Sequence, residues 1–165
     1  MKILVFSDSH GRVANIKKAI DEHLEHGGID RVFFLGDGAR DIMTLERNYP
    51  NIPFDYVLGN CDSTTGNLKL LEKVVDVGEV KFLLMHGHNH GVKNGIQRAV
   101  DYAIEKGADV LLHGHTHIAT DVTVDGSYRG HVRVINPGAC GSFYFGSYAT
   151  VYVEGKNVVC GFGSI

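Results

Sequence analysis

Residues 2–12 read KILVFSDSHGR. Ile3-Leu4-Val5-Phe6 is short, apolar and β-branched or aromatic, and predicts a buried strand, after which the chain turns out through Asp8 and His10. A carboxylate and an imidazole just past a strand stand at one edge of a sheet, where open α/β proteins build their sites. The pattern then repeats. Val32-Phe33-Phe34-Leu35 precedes Gly36-Asp37, a strand predicted over Phe54–Leu58 precedes Gly59-Asn60, and one over Val80–Met85 runs into His86-Gly87-His88. Asp109–Leu112 leads to His113-Gly114-His115-Thr116-His117. Seven side chains able to hold a metal therefore gather at one edge: Asp8, His10, Asp37, Asn60, His86, His115 and His117.

The segments between these strands carry a different period. Val13, Ile16, Ala19, Ile20 and Leu24 form an amphipathic helical stripe that ends at Gly27-Gly28. A short helix is predicted over Ala39–Asn48, and another along Val92, Ile96, Ala99, Val100, Ala103 and Ile104, stopping at Gly107. Val74–Val77 and Val80–Met85 around Gly78-Glu79 read as a hairpin. Past residue 118 the chain becomes mostly β, with strands predicted over Ile118–Asp125, His131–Ile135, Ser147–Val153 and Asn157–Gly161. An α/β class with two packed sheets and helices outside accommodates both halves.

At 165 residues the expectation is one domain covering 1–165. A net charge of −3 and a pI near 6.3 argue against a polyanion-binding face, so no docking to nucleic acid is expected. No stretch approaches membrane-spanning length. Three cysteines, Cys61, Cys140 and Cys160, are an odd number without paired spacing, which fits a reduced, cytoplasmic setting.

Each motif alone has an ordinary explanation. Asp after a strand commonly caps the next helix, Gly36-Asp37 reads equally as a turn, and Gly59-Asn60 as a left-handed turn residue. His115 and His117 carry more, because two imidazoles two residues apart in an extended segment face the same side. In order and together, two Asp, one Asn and four His describe a dinuclear metal centre. Phosphate esters resist attack because their oxygens are negative. Two divalent ions roughly 3.5–4 Å apart neutralise those oxygens and deliver hydroxide at neutral pH. Carboxylate, amide and imidazole donors suit manganese first, with iron, zinc, cobalt or nickel as alternatives.

The ordered set of D-x-H, GD, GN, H-G-H and GHTH, followed by Ile135-Asn136-Pro137-Gly138, resembles the calcineurin-like metallophosphoesterases. Within them it is similar, over nearly the whole chain, to the small bacterial and archaeal phosphodiesterases. The resemblance implies a four-layer α/β/β/α sandwich. It also implies a first metal on Asp8, His10 and His117, and a second on Asn60, His86 and His115, with Asp37 bridging. A metal-bound hydroxide would then attack the phosphorus of a small phosphoester, with Asn60 counted among the catalytic residues as well as the metal ligands. One position departs from the larger members: Cys61 stands where they carry the His that protonates the leaving group. A thiol is a poorer proton donor near neutrality than imidazolium. His88, the second His of H-G-H, is the candidate to contact phosphate or supply that proton.

His90 is expected to face solvent, His113 to support the site without joining it, and Arg12 to lie on the surface. Phe143-Tyr144-Phe145, in a Gly-flanked loop, is read as a substrate wall or, by preference, a contact between copies in a homo-oligomer. The rival function is a non-catalytic scaffold, since a retromer coat subunit shares the fold but has lost ligands. Here no ligand position is replaced.

Overall fold

The computed structural model describes residues 1–63, 70–142 and 145–165. Its strands are β1 (Lys2–Phe6), β2 (Arg31–Phe34), β3 (Phe54–Tyr56), β4 (Glu72–Val77), β5 (Val80–Met85), β6 (Val110–His113), β7 (Thr120–Asp125), β8 (His131–Asn136), β9 (Ser147–Glu154) and β10 (Asn157–Ser164). The α-helices are α1 (Val13–Glu25), α2 (Ala39–Leu45) and α3 (Gln97–Glu105). One sheet has the order β10-β9-β1-β2-β3 and the other β4-β5-β6-β8-β7. β1, β2 and β3 run parallel, as do β5, β6 and β8, and the remaining pairings are antiparallel.

Period-two alternation divides each strand between two cores. Ile3, Val5, Phe33 and Val151 from the first sheet meet Phe82, Leu84, Val110 and Leu112 from the second, with Phe33 and Phe82 edge to face at 5.8 Å. The outer side chains of the first sheet, Leu4, Phe6, Val32 and Phe34, pack under Ile16 and Ile20 of α1 and Ile42 and Leu45 of α2. Leu83, Met85, Leu111 and Val134 on the far side of the second sheet lie under Ala99, Val100 and Ala103 of α3. Helix, sheet, sheet and helix make four layers, as the resemblance implied. Each fully buried Phe, Leu or Ile contributes about 1.5–3 kcal/mol of transfer free energy, so these three clusters supply the driving force.

Element boundaries differ from expectation where local chemistry intervenes. α3 begins at Gln97, not near Val92, because Gly91 and Gly95 hold positive φ (67° and 144°) and break any helix there; Val92 still packs against the helix's buried face. The segment after α2 tightens into a 3-10 turn, Glu46–Asn48. β3 stops at Tyr56, and β7 starts at Thr120, after Ile118 has passed exposed through the loop. Among the described residues no helix is long and apolar enough to cross a membrane.

Candidate metal centre

The parallel strands β1, β2, β3, β5 and β6 all deliver their following loops to one edge, and the two sheets are pinned together there. His86, just past β5, has one ring nitrogen, Nδ1, 2.7 Å from the Leu35 carbonyl beside β2. A carbonyl only accepts, so Nδ1 carries the proton and donates, and Nε2 is left with a lone pair. That nitrogen lies 3.1 Å from His115 Nδ1, 3.2 Å from Asn60 Oδ1, 3.5 Å from Asp37 Oδ2 and 3.9 Å from Asp8 Oδ1. On the other side of Asp8, His117 Nε2 stands 3.1 Å from Oδ1, and the His10 and His117 rings are 5.4 Å apart. The structure therefore brings all seven sequence-predicted residues together. Two groups with all donor atoms within 4.8 Å stand out, Asp8 with His10 and His117, and Asp8 with Asp37 and His86.

Electron-pair donors crowded this closely repel unless a cation lies between them. Asp8 Oδ1 is buried and accepts no hydrogen bond, although two imidazole nitrogens stand beside it. A buried carboxylate oxygen left in that state costs free energy in a protein that holds nothing there. The donor set fits divalent ions on this ground as well as by residue type.

The backbone supports the same reading. Asp8, His10, Asp37, His115 and His117 all have φ between 44° and 67°, and among the described residues they alone are non-glycine residues with positive φ. This conformation is costly for side chains with a Cβ, and such strain persists where the surrounding fold over-determines it, usually at functional sites. Helix capping is excluded for Asp8: α1 starts at Val13 with Arg12 at its N-cap and no side-chain cap. Gly36 and Gly59 are required by close approach, since a Cβ at Gly36 would lie 2.5 Å from the Gly59 nitrogen and one at Gly59 would lie 2.0 Å from Asp37 Oδ1.

Electrostatics prepare the donors. Burial pushes the Asp37 carboxyl up, but the Cys61 N–H at 2.8 Å and the nearby His86 and His10 outweigh it and hold the group below the usual carboxylate range. Burial, then the neighbouring His86 and Lys93, pulls His115 down to about 4, so its ring is neutral and its lone pair available at neutral pH. Asp8, Asp37 and His86 are buried, while His10, Asn60, Cys61 and His117 are exposed, so the centre has a dry floor and an open rim.

Cys61 is an exposed free thiol within the same 4.8 Å reach of His10 and Asp37. Its hydrogen bond to the Asp37 carboxylate pushes the thiol above its ordinary value. His88 is half-buried, its ring 5.4 Å from His86 and 6.2 Å from His115, and its Nδ1 is buried without a partner. His90 does not face solvent as expected: its ring packs on Tyr102 at 4.8 Å, away from the seven donors. His113 is buried with Nδ1 at 3.0 Å from the Gly114 carbonyl, supporting the GHTH loop. Arg12 reaches the Ser142 carbonyl. Phe143 and Tyr144 lie outside the described residues, and Phe145, strongly exposed, walls a hollow of about 250 Å³ beside His10 and His117.

Two supporting residues, Asp62 and Asp41, were not singled out from the sequence, and a third, Asn136, was read there only as part of the Asn136-Pro137-Gly138 turn. Asp62 accepts four backbone N–H groups, from Asp37 and Gly59 on one oxygen and from Gly38 and Ala39 on the other, all at 2.8–2.9 Å, and so locks the loops carrying Asp37 and Asn60 together. Asp41 takes the Ser9 hydroxyl and the Gly11 N–H, fixing the D-x-H loop to α2. The Asn136 side chain, fully buried, donates to the Gly114 carbonyl and to Thr116 Oγ1 and accepts from Gly138 N. No local signal marked Asp62, because its N–H partners lie three residues before it and in the separate loop 37–39. Asp62→Asn is accordingly not conservative, because one amide nitrogen would face two N–H donors. It should lower divalent-ion affinity by about 10–100-fold and stability by about 1–3 kcal/mol. Metal titration and urea unfolding check this; unchanged affinity in the folded variant would count against the positioning role.

The model of the Calcineurin-like phosphoesterase superfamily domain matches residues 1–156. The curated "Probable metallophosphoesterase YsnB" of Bacillus subtilis is 34% identical over 140 residues, 84% of this chain and 75% of that protein. Phosphodiesterase MJ0936 of Methanocaldococcus jannaschii is 31% identical over 159 residues, 88% of each chain. Among solved structures, a Vps29 variant of Entamoeba histolytica superposes with a TM-score of 0.73 at 23% identity, over 100% of this chain and 99% of that one, a likeness of fold alone.

Proposed function

The chain belongs to the calcineurin-like phosphoesterase superfamily, and on that premise we propose that it is a divalent-metal-dependent phosphodiesterase acting on small phosphoesters. The observation that carries the reading is the convergence of Asp8, Asp37, Asn60, His86 and His115, with His10 and His117 on the far side of Asp8, in a pocket whose carboxylate oxygen is left without a hydrogen bond. Asp8, His10, Asp37 and His117 would hold one ion, and Asp37, Asn60, His86 and His115 the other, with manganese the first candidate. Ions held there supply hydroxide at neutral pH and cancel the charge of the phosphoryl oxygens.

The protein's own groups do the rest. Asp62, Asp41 and Asn136 keep the donor loops in register, so the donors need no rearrangement when substrate arrives. Asn60 and His88 stand at the rim, where a phosphoryl oxygen would meet them. The 31% identical phosphodiesterase supports a diester over a monoester. The scaffold alternative draws on Vps29, whose 23% identity speaks only to fold, and the complete donor set argues against it.

Departure of the leaving group is the weak step. A thiol bound to the Asp37 carboxylate keeps its proton at neutral pH and yields it reluctantly. In a turnover panel of monoesters, diesters and cyclic nucleotides, with each divalent ion added to stripped protein, nitrophenyl diesters should be hydrolysed well and alkyl diesters poorly. Cys61→His should help the alkyl esters selectively, by at most about 10²–10⁴-fold. No turnover with any ion would overturn the enzymatic reading. Equal rates on alkyl and nitrophenyl diesters, with chemistry rate-limiting, would mean that another acid is present, and His88→Ala is then the variant to measure.

A further inference from the structure

Several hollows border the donor loops, and their charges differ; one, about 560 Å³, holds a single cation, Lys93, beside His113 and Thr116. The one beside His10 and His117 is walled by Phe145, and the one beside His88, about 350 Å³, holds Glu72 and His90. Neither contains a Lys or Arg among the described residues. Another, about 640 Å³, lies between α2 with the turn after it, which bring Arg40, Met43 and Arg47, and the loop after β3, which brings Leu58, Cys61 and Asp62. It opens on the centre through Cys61, whose backbone N–H bonds Asp37 Oδ1 at 2.8 Å and whose thiol lies within ligand distance of His10 and Asp37.

Arg40, Met43 and Arg47 sit at positions i, i+3 and i+7, one face of a helical segment. Both guanidiniums are exposed, and among the described residues neither has an acidic partner. Two nearby acids are already committed, Asp62 to four backbone N–H groups and Asp41 to Ser9 and Gly11, and Glu46, next to Arg47 in sequence, forms no ion pair with either arginine. Two guanidiniums without an acidic partner among the described residues thus face one hollow beside the proposed phosphate-handling centre, in a chain whose net charge is −3. Arginine's planar fork suits a phosphate oxygen pair, and Met43, 51% exposed, offers an apolar wall for the carbon chain between.

Resting on the phosphodiesterase reading, we propose that the groove along α2 binds the arm of a diester substrate that carries a second phosphate, with Arg40 and Arg47 as its specificity residues. The diester phosphorus then sits over the donor cluster, and the phosphorylated arm runs past Cys61 along α2. Uncharged arms fit the hollows beside His88 and beside His117, whose walls hold no Lys or Arg among the described residues.

The test compares ethyl p-nitrophenyl phosphate with its analogue bearing a phosphate on the far carbon of the ethyl group. Hydrolysis and equilibrium binding of the corresponding non-hydrolysable phosphonates are both measured, the latter by calorimetry with manganese present. The wild type should favour the phosphorylated compound roughly tenfold, the scale of one charge-assisted hydrogen bond on an open surface, and less as salt rises. In Arg40→Gln/Arg47→Gln the ratio should fall toward one, while Arg98→Gln, an exposed charge on α3, should leave it in place. No preference in the wild type, or an equal preference in the double variant, overturns the subsite. Should neither ester be hydrolysed, the phosphodiesterase reading fails instead, and the phosphonate binding ratio still decides whether the two arginines bind a phosphate.

Discussion

Asp37→Asn is expected to empty the whole centre at once. Asp37 is the carboxylate proposed to serve both ions, so the variant should lose both, not one, with activity falling by more than the about 10²–10³-fold that removal of a single electrostatic donor costs. Asn retains an acceptor for the Cys61 N–H that Asp37 Oδ1 now takes, so the loop should hold its shape. Stability of the stripped protein should fall as well. Asp8 and Asp37 are both buried, with donor oxygens within 4.8 Å, but the Cys61 N–H and the neighbouring rings hold the Asp37 carboxyl below the usual carboxylate range, so above that range its charge favours the folded state. The stripped Asp37→Asn protein should therefore melt below stripped wild type at neutral pH, and manganese should raise the melting temperature of wild type alone. Elemental analysis and thermal unfolding with and without ion measure this. Two retained ions with full activity in the variant would remove Asp37 from its bridging place.

His86→Ala should be far more damaging than His90→Ala. His86 is fully buried, its Nδ1–H held by the Leu35 carbonyl and its Nε2 turned among Asp8, Asp37, Asn60 and His115. Its loss takes one proposed ligand and the contact that ties the two sheets at the site edge, so ion affinity and turnover should fall together, by at least about 10²-fold. His90 packs on Tyr102 and should cost only about 0.5–1.5 kcal/mol of aromatic contact, with kinetics little changed. Equal losses of turnover from the two variants, both folded, would mean that the H-G-H segment holds its metal differently. Metal titration separates a lost ligand from a loosened fold.

The donor set was legible because it follows from local pattern. An apolar run of strand length ending in Asp8, Asp37 or His86 places the polar residue at a sheet edge whatever the tertiary arrangement. The helical stripe of α1 and the hairpin of β4 and β5 were readable for the same reason, since periods of 3.6 and 2 are properties of the chain itself. The start of α3 was less so, because the apolar stripe runs back to Val92 while Gly91 and Gly95 break the helix. His90 was misplaced because nothing local marks its packing against Tyr102, a residue on α3.

By itself, then, the sequence determined which residues end the strands, the class of fold that such alternation builds, and a donor chemistry suited to divalent ions. Tertiary structure alone decided that these loops meet: His86 and Leu35 come from different sheets, and Asp8 and His115 are 107 residues apart. It alone assigned Asp62 its four N–H groups, set Asp8, His10, Asp37, His115 and His117 in left-handed backbone, and left Arg40 and Arg47 without an acidic partner among the described residues. The physical reason is the range of the forces. Hydrophobic period acts over neighbouring residues and is written along the chain, whereas hydrogen-bond satisfaction, strain and charge pairing depend on which segments the packed sheets bring within a few ångströms.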